Sequence, residues 1–192
     1  SFINSEDHFK NLVSLGQKPS SMVISCCDSR VHATSIFGAD EGEFFIHRNI
    51  ANLVPKYSKD GANHGTSAAI EYAVKELKIQ HLIVLGHKDC GGIKSGYKLH
   101  SNHLNKDYEF INKWLSILLP AFNNIAKDVS KEEQLEKLEE ESIKNSVNNL
   151  FSFPYIKKAV EDKSLSIHGL IHNIATGGIK FLNPITEDFE NL

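Results

Sequence analysis

GTSAAIEYAVKELKIQHLIVLGHKDCGG, residues 65–92, decides the fold. Ile70, Ala73, Val74 and Leu77 recur at i, i+3, i+4 and i+7, the period of a helix with one apolar stripe. Leu82–Leu85 follows as a short, continuously apolar run, which is how a strand buried on both faces reads. Phe44–Ile46 before the helix and Met22–Ser25 earlier still are runs of the same kind. A strand, a helix and a second strand imply a parallel pair joined by a right-handed crossover, with helices covering the sheet. The predicted class is α/β, with a mainly parallel central sheet flanked by helices.

Downstream, Tyr108–Val129 is helical in pattern but must kink or restart at Pro120, whose ring clashes with the preceding turn. Residues 131–151 carry many acidic side chains beside a stripe of Leu135, Leu138, Ile143, Val147 and Leu150, and the charges read as a solvated helix face. Pro154 opens a short helix through Val160. Residues 164–184 read as two extended segments about Thr176-Gly177-Gly178, a C-terminal antiparallel edge strand or hairpin. With 192 residues, no repeat and no linker, the chain is expected to form a single domain over 1–192, with a short N-terminal arm at about 1–20.

The balance of 21 basic against 24 acidic residues, a net charge of −3, gives no electrostatic basis for a nucleic-acid or anionic-membrane partner. No apolar run approaches the ~18 residues of a membrane helix, and the opening residues lack a basic end followed by an apolar stretch. A soluble, cytoplasmic protein is expected. Three cysteines, at 26, 27 and 90, are too few and odd in number for a disulfide framework, so thiol or metal chemistry is the live question.

The first strand runs directly into Cys26-Cys27-Asp28-Ser29-Arg30, and alternation sends 26, 28 and 30 to one side. Cys27 points the other way and reads as a buried structural thiol. The third strand runs into Gly86-His87-Lys88-Asp89-Cys90-Gly91-Gly92, where His87 and Cys90 can converge across one turn. Both clusters sit at carboxyl ends of parallel strands, where ligands collect. Two thiols and one imidazole suit zinc better than magnesium or calcium, and three strong ligands leave a position open, as in catalytic sites. Asp28, kept ionised by Arg30, is an acceptor-only group that would orient a zinc-bound hydroxide; without the thiols the two would pass for an ordinary ion pair. Gly91 and Gly92 let backbone N–H groups approach a small anion.

GQKP (16–19), ISCCDSRV (24–31), GEFFIHRNIANLVP (42–55), HGTSAAIEYAV (64–74), VLGHKDCGGI (84–93) and IHGLIHNIATG (167–177) resemble, in this order, the beta-class carbonic anhydrases. The resemblance implies one zinc ion per chain on Cys26, His87 and Cys90, and Asp28 with Arg30 as the dyad beside the metal hydroxide. It implies reversible hydration of carbon dioxide to bicarbonate and a proton. Gln17 and the Gly91 N–H would bond substrate, and Phe45 and Ile50 would line a small apolar pocket. In a closed form that some members adopt, Asp28 would swing onto zinc. Arg48 matches the arginine of the bicarbonate site found in those members, but Val23 stands where they carry tryptophan, which favours a permanently open site. Self-association as a homodimer or homotetramer (a dimer of dimers) is implied as well. The rival readings are hydrolysis of carbon disulfide or carbonyl sulfide on the same zinc site, and a non-catalytic zinc or redox-sensing protein.

Overall fold

The computed structural model describes residues 6–60, 62–103 and 106–192. Among them, six strands form one sheet: β1 Ser21–Cys26, β2 Phe44–Asn49, β3 His81–His87, β4 Ser166–His172, β5 Ile179–Leu182 and β6 Phe189–Asn191. Their order is β2-β1-β3-β4-β5-β6. The four strands from β2 to β4 are parallel, and β5 and β6 are antiparallel to their neighbours. The mainly parallel sheet with an antiparallel C-terminal edge is therefore the architecture the chain adopts. One detail differs: the first segment of the expected hairpin, β4, is an interior strand parallel to β3, and β6 lies beyond the second.

The helices are α1 Glu6–Leu15, α2 Ala33–Phe37, α3 Gly65–Lys75, α4 Gly91–His100, α5 Ile111–Leu115, α6 Leu119–Asn124, α7 Lys131–Leu150 and α8 Pro154–Glu161. α1 lies within the expected N-terminal arm, whose residues 1–5 fall outside the described residues. Pro120 occupies the first turn of α6 after a 3-10 turn at Ser116–Leu118, so the chain restarts there as its missing N–H requires. A capping box starts α7: the Glu133 N–H donates to Ser130 Oγ at 3.2 Å and the Ser130 N–H to Glu133 Oε2 at 2.9 Å. No helix among the described residues is long and apolar enough to cross a membrane.

Alternation splits the apolar residues between the two sheet faces. Met22, Ile24, Leu82, Val84 and Ile171 pack against Ile70 and Ala73 of α3, Ile143 and Leu150 of α7, and Ile156 of α8. Each large aliphatic side chain so buried contributes about 1.5–3 kcal/mol. Val23, Leu85 and Leu170 point to the opposite face, where the five-residue α2 supplies Ala33, Ile36 and Phe37. α7 rides close over the first face because glycines face it: a Cβ on Gly86 would lie 2.6 Å from Ile143 Cδ1, and one on Gly169 2.9 Å from Ile143 Cγ2.

That seating corrects the solvated-face reading of α7. Glu132, Glu136 and Lys137 are exposed, but Glu139 and Glu141 are buried, because the helix is enclosed by the sheet on one side and by α4 and α6 on others.

Candidate metal centre

The chain leaves β1 for β2 on one side of the sheet and returns to β3 on the other. β1 and β3 are thus the neighbours at which the strand order reverses, and side chains at their carboxyl ends face a crevice. Cys26 is the last residue of β1 and His87 the last of β3, while Cys90 is the residue from which α4 starts. The metal-binding atoms of these three buried residues lie within 4.8 Å of one another, with the sulfurs 3.9 Å apart. Three side chains that the sequence separates by up to 64 positions are brought into one group that could hold a metal ion.

The state of each donor suits a cation. His87 Nδ1 lies 2.9 Å from the Lys88 carbonyl oxygen, so it is the protonated nitrogen, and buried Nε2 has no hydrogen-bond partner. The hydrogen bond from Cys90, helped by His87 and by the Asp28 and Ala51 amides, lowers the pKa of Cys26 in spite of burial. The same bond from the other side, together with burial, raises that of Cys90. One contact thus drives the two thiols in opposite directions, and a cation bound there would displace whatever proton the pair holds. Burial opposes charge on His87, but the neighbouring Cys26 sulfur and, more weakly, the Asp28 carboxylate outweigh that and raise its pKa overall.

Asp28 stands beside this group, its Oδ2 3.9 Å from His87 Nε2. Oδ1 accepts from the Arg30 N–H at 3.0 Å and from Nε at 2.9 Å, and Oδ2 accepts from Nη2 at 2.8 Å. This two-pronged grip holds the Asp28 carboxyl well below the usual carboxylate range. Arg30 reaches further, to the Asp89 carbonyl at 3.4 Å and carboxylate at 3.6 Å, tying the loop after β1 to the turn after β3. From β2, Arg48 donates to the carbonyls of Cys26 at 2.9 Å and Asp28 at 2.7 Å. Both of those bonds of Arg48 therefore go to the backbone that carries Cys26 and Asp28.

Residues 21–179 match the carbonic anhydrase family. Beta carbonic anhydrase 3 of Arabidopsis thaliana is 37% identical to this chain over 170 residues, 87% of this chain and 66% of that protein. The beta-carbonic anhydrase CcaA has the same fold, with a TM-score of 0.91 and 32% identity over 100% of this chain and 85% of that one. The chain belongs to the beta-class carbonic anhydrases. A tetrameric beta-carbonic anhydrase of Sordaria macrospora is also similar, with a TM-score of 0.80 and 30% identity over 94% of this chain and 88% of that one. The chain spans just under two thirds of the length of the curated Arabidopsis relative.

In this beta carbonic anhydrase chain, Ile50, Ala51 and Asn52 form a tight, kinked turn against the first turn of α4. A Cβ on Gly92 would lie 2.9 Å from Ala51 Cβ and 3.0 Å from Ile50 Cγ2, so only glycine permits this approach. Ala51 and Asn52 are both left-handed, with φ of 62° and 48°, a conformation that costs a non-glycine residue about 1–2 kcal/mol. Trp114 Nε1 pins the turn by donating to the Ile50 carbonyl at 2.9 Å. Gly91 opens α4, so its N–H has no partner within the helix. Gln17 is exposed in the loop before β1. Phe45 is not brought to the group within this chain: it lies level with Met22, about 13 Å along the strand from Cys26, against the ring of Tyr72.

Cys27 corrects another expectation, for it is exposed and not a buried thiol. It follows the last residue of β1 on the face of Val23 and Ser25, and the short α2 does not cover that face as far as the strand end. Glu139 is the residue the sequence reading missed. Its Oε1 accepts from the Cys90 N–H at 3.1 Å, while burial pushes its carboxyl up. The available signal was its place on the stripe itself, four residues after Leu135 and four before Ile143.

Proposed function

We propose that this chain catalyses the reversible hydration of carbon dioxide to bicarbonate and a proton, with one zinc ion per chain held by Cys26, His87 and Cys90. The observation that carries the reading is the buried Cys-His-Cys group with an Arg30-locked Asp28 at its rim. Two sulfurs at zinc-ligand distance and tetrahedral angle stand about 3.8 Å apart, against 3.9 Å here, and the bare His87 Nε2 supplies the third donor. When bound, zinc supplies Lewis acidity that makes water a nucleophile near neutral pH.

The remaining work falls to the chain. Asp28, its carboxylate held ionised, accepts the proton-bearing side of the attacking water and turns an oxygen lone pair toward carbon dioxide. Arg30 keeps that carboxylate off the metal, which favours the open site over a closed form with Asp28 as a ligand. The Gly91 N–H, at the start of a ten-residue helix, favours the negative charge that develops as bicarbonate forms. Ile50 gives the uncharged substrate an apolar wall. Water adds to carbon, and the released proton passes to solvent. Gln17 and Phe45 fit a site completed by a second copy, and the tetrameric Sordaria relative supports a homodimer or dimer of dimers built from single-domain chains.

Stopped-flow hydration of carbon dioxide by the zinc-loaded protein and by Asp28→Ala tests this, with carbonyl sulfide and carbon disulfide assayed alongside. Hydration falling about 10–100-fold in the variant is expected, the usual loss for a group that orients the reacting partner at a metal. Undiminished hydration by the variant removes Asp28 from its role. Turnover of the sulfur substrates alone overturns the anhydrase reading.

A further inference from the structure

We infer that Glu139 is a positioning residue of the metal centre: from α7 it holds the backbone of the Lys88–Cys90 turn and so fixes where the Cys90 sulfur stands. The inference rests on the proposed zinc site and adds a residue to it. Glu139 lies 49 positions from Cys90 in sequence and is 5% exposed. Its Oε1 accepts the Cys90 N–H at 3.1 Å. Its Oε2 is buried without a hydrogen-bond partner and stands 3.6 Å from Lys88 Nζ.

The turn has a reason to need such a hold. His87 and Cys90 must face one ion from positions three apart, and Asp89 between them takes a left-handed conformation, φ 61°, which an L side chain disfavours. Lys88 is secured by donating its N–H to the His172 carbonyl at 2.8 Å. The Cys90 N–H follows the strained residue and is buried, so without Glu139 it would lack an acceptor. A buried carboxylate is costly to keep, and here it is answered by the Cys90 N–H and the Lys88 ammonium on either flank of Asp89. Glu139 and Lys88 thus bracket the turn from opposite sides.

The plain alternative is that Glu139 only packs α7 against α4. Glu141 separates the two, being buried on the same helix but paired with Lys144 at 3.0 Å and Lys137 at 3.8 Å, away from the ligand turn.

The test compares the full chain with Glu139→Leu, Glu139→Gln and Glu141→Gln. Folding is followed by circular dichroism, zinc affinity by competition with a chromophoric chelator, and ligand geometry by the absorption spectrum of the cobalt(II)-loaded protein. Glu139→Leu keeps the bulk but has no acceptor, and its zinc affinity should fall roughly 10–100-fold with shifted cobalt bands. Glu139→Gln keeps an acceptor oxygen without the charge and should lose about threefold or more. Glu141→Gln should match the wild type in both metal readouts. A folded Glu139→Leu with wild-type affinity and an unchanged spectrum overturns the inference, as does an equal loss in Glu141→Gln. Should Glu139→Leu fail to fold, Glu139→Gln decides: unaltered affinity and spectrum overturn the inference, and the stated loss in a folded protein supports it. A wild-type chain that takes up no zinc overturns the proposed function as well.

Discussion

Gly86→Ala places a methyl group where the core has no room for it, one residue before a histidine of the proposed metal centre. The added Cβ would lie 2.6 Å from Ile143 Cδ1, 2.9 Å from Ile143 Cγ1 and 3.5 Å from Asn52 Nδ2. Carbon atoms prefer about 3.5–4.0 Å, so roughly 1 Å must be recovered. Ile143 is fully buried and its Cγ2 already faces Gly169, so α7 has to lift from the sheet. Overpacking of this kind costs about 1–3 kcal/mol, and at about 2–4 °C per kcal/mol for a chain of this size the melting temperature should fall by roughly 2–12 °C. Glu139 lies one turn before Ile143 on the same helix face, so lifting α7 also draws on its bond to Cys90. Zinc affinity should drop together with stability. Ile143→Val removes Cδ1, the atom in closest conflict; alone it should cost about 0.5–1.5 kcal/mol, but combined with Gly86→Ala it should recover about 1 kcal/mol. Thermal unfolding of zinc-loaded and zinc-free protein, with chelator competition, measures the whole cycle. Additivity of the two substitutions within about 0.5 kcal/mol would refute the steric reasoning.

Cys27→Ser should leave zinc content and carbon dioxide hydration unchanged, since the thiol is exposed, whereas Cys26→Ser should lose the metal. Zinc loss in Cys27→Ser, measured by metal analysis, would make Cys27 a ligand. His47 predicts a pH effect on stability: it is half-buried, with Nε2 3.0 Å from Thr66 Oγ1, and burial lowers its pKa. Its contribution is complete above the unfolded value of about 6.5 and is lost as pH falls below that, because the unfolded chain then takes up a proton the folded one resists. Melting temperature should decline from pH 7.5 to 5, and less so in His47→Gln; equal slopes would show that another group is responsible.

Much of the centre could be read from local pattern. Alternation past a strand end puts Cys26, Asp28 and Arg30 on one side, although Asp28 and Arg30 in fact meet through a turn in which the Val31 N–H donates to the Asp28 carbonyl at 3.0 Å. His87 and Cys90 follow from their spacing across one turn. The parallel sheet followed from a helix between two apolar runs. What local pattern does not encode is which distant surface closes over a residue. β4 has the same extended look whether it pairs parallel to β3 or only with β5, and the choice is made by α7 and α8 returning the chain to the start of the sheet. Cys27 was misplaced for a related reason, because alternation gives the direction of a side chain and not how far the covering layer extends.

Glu139, absent from the sequence reading, and Arg48, named there only for a bicarbonate site, show why the anchors of the centre form a class. The Cys-His-Cys group hangs on two segments that leave the sheet, 26–30 and 87–90, where no strand partner fixes the backbone for long. Each needs an anchor from another element: Arg48 on β2 takes the carbonyls of Cys26 and Asp28, and Glu139 on α7 takes the N–H of Cys90. Arg30 then joins the two segments through Asp89. A charged side chain suits each place because carbonyl and amide groups there face opposite needs, a donor fork at the first segment and an acceptor at the second. The ligands announce themselves by residue type, while their anchors look like ordinary surface charges until the fold buries them. Precision of the Cys-His-Cys group is thus a tertiary property, held by charges from β2 and α7 and by the glycine at 86 that lets α7 come close.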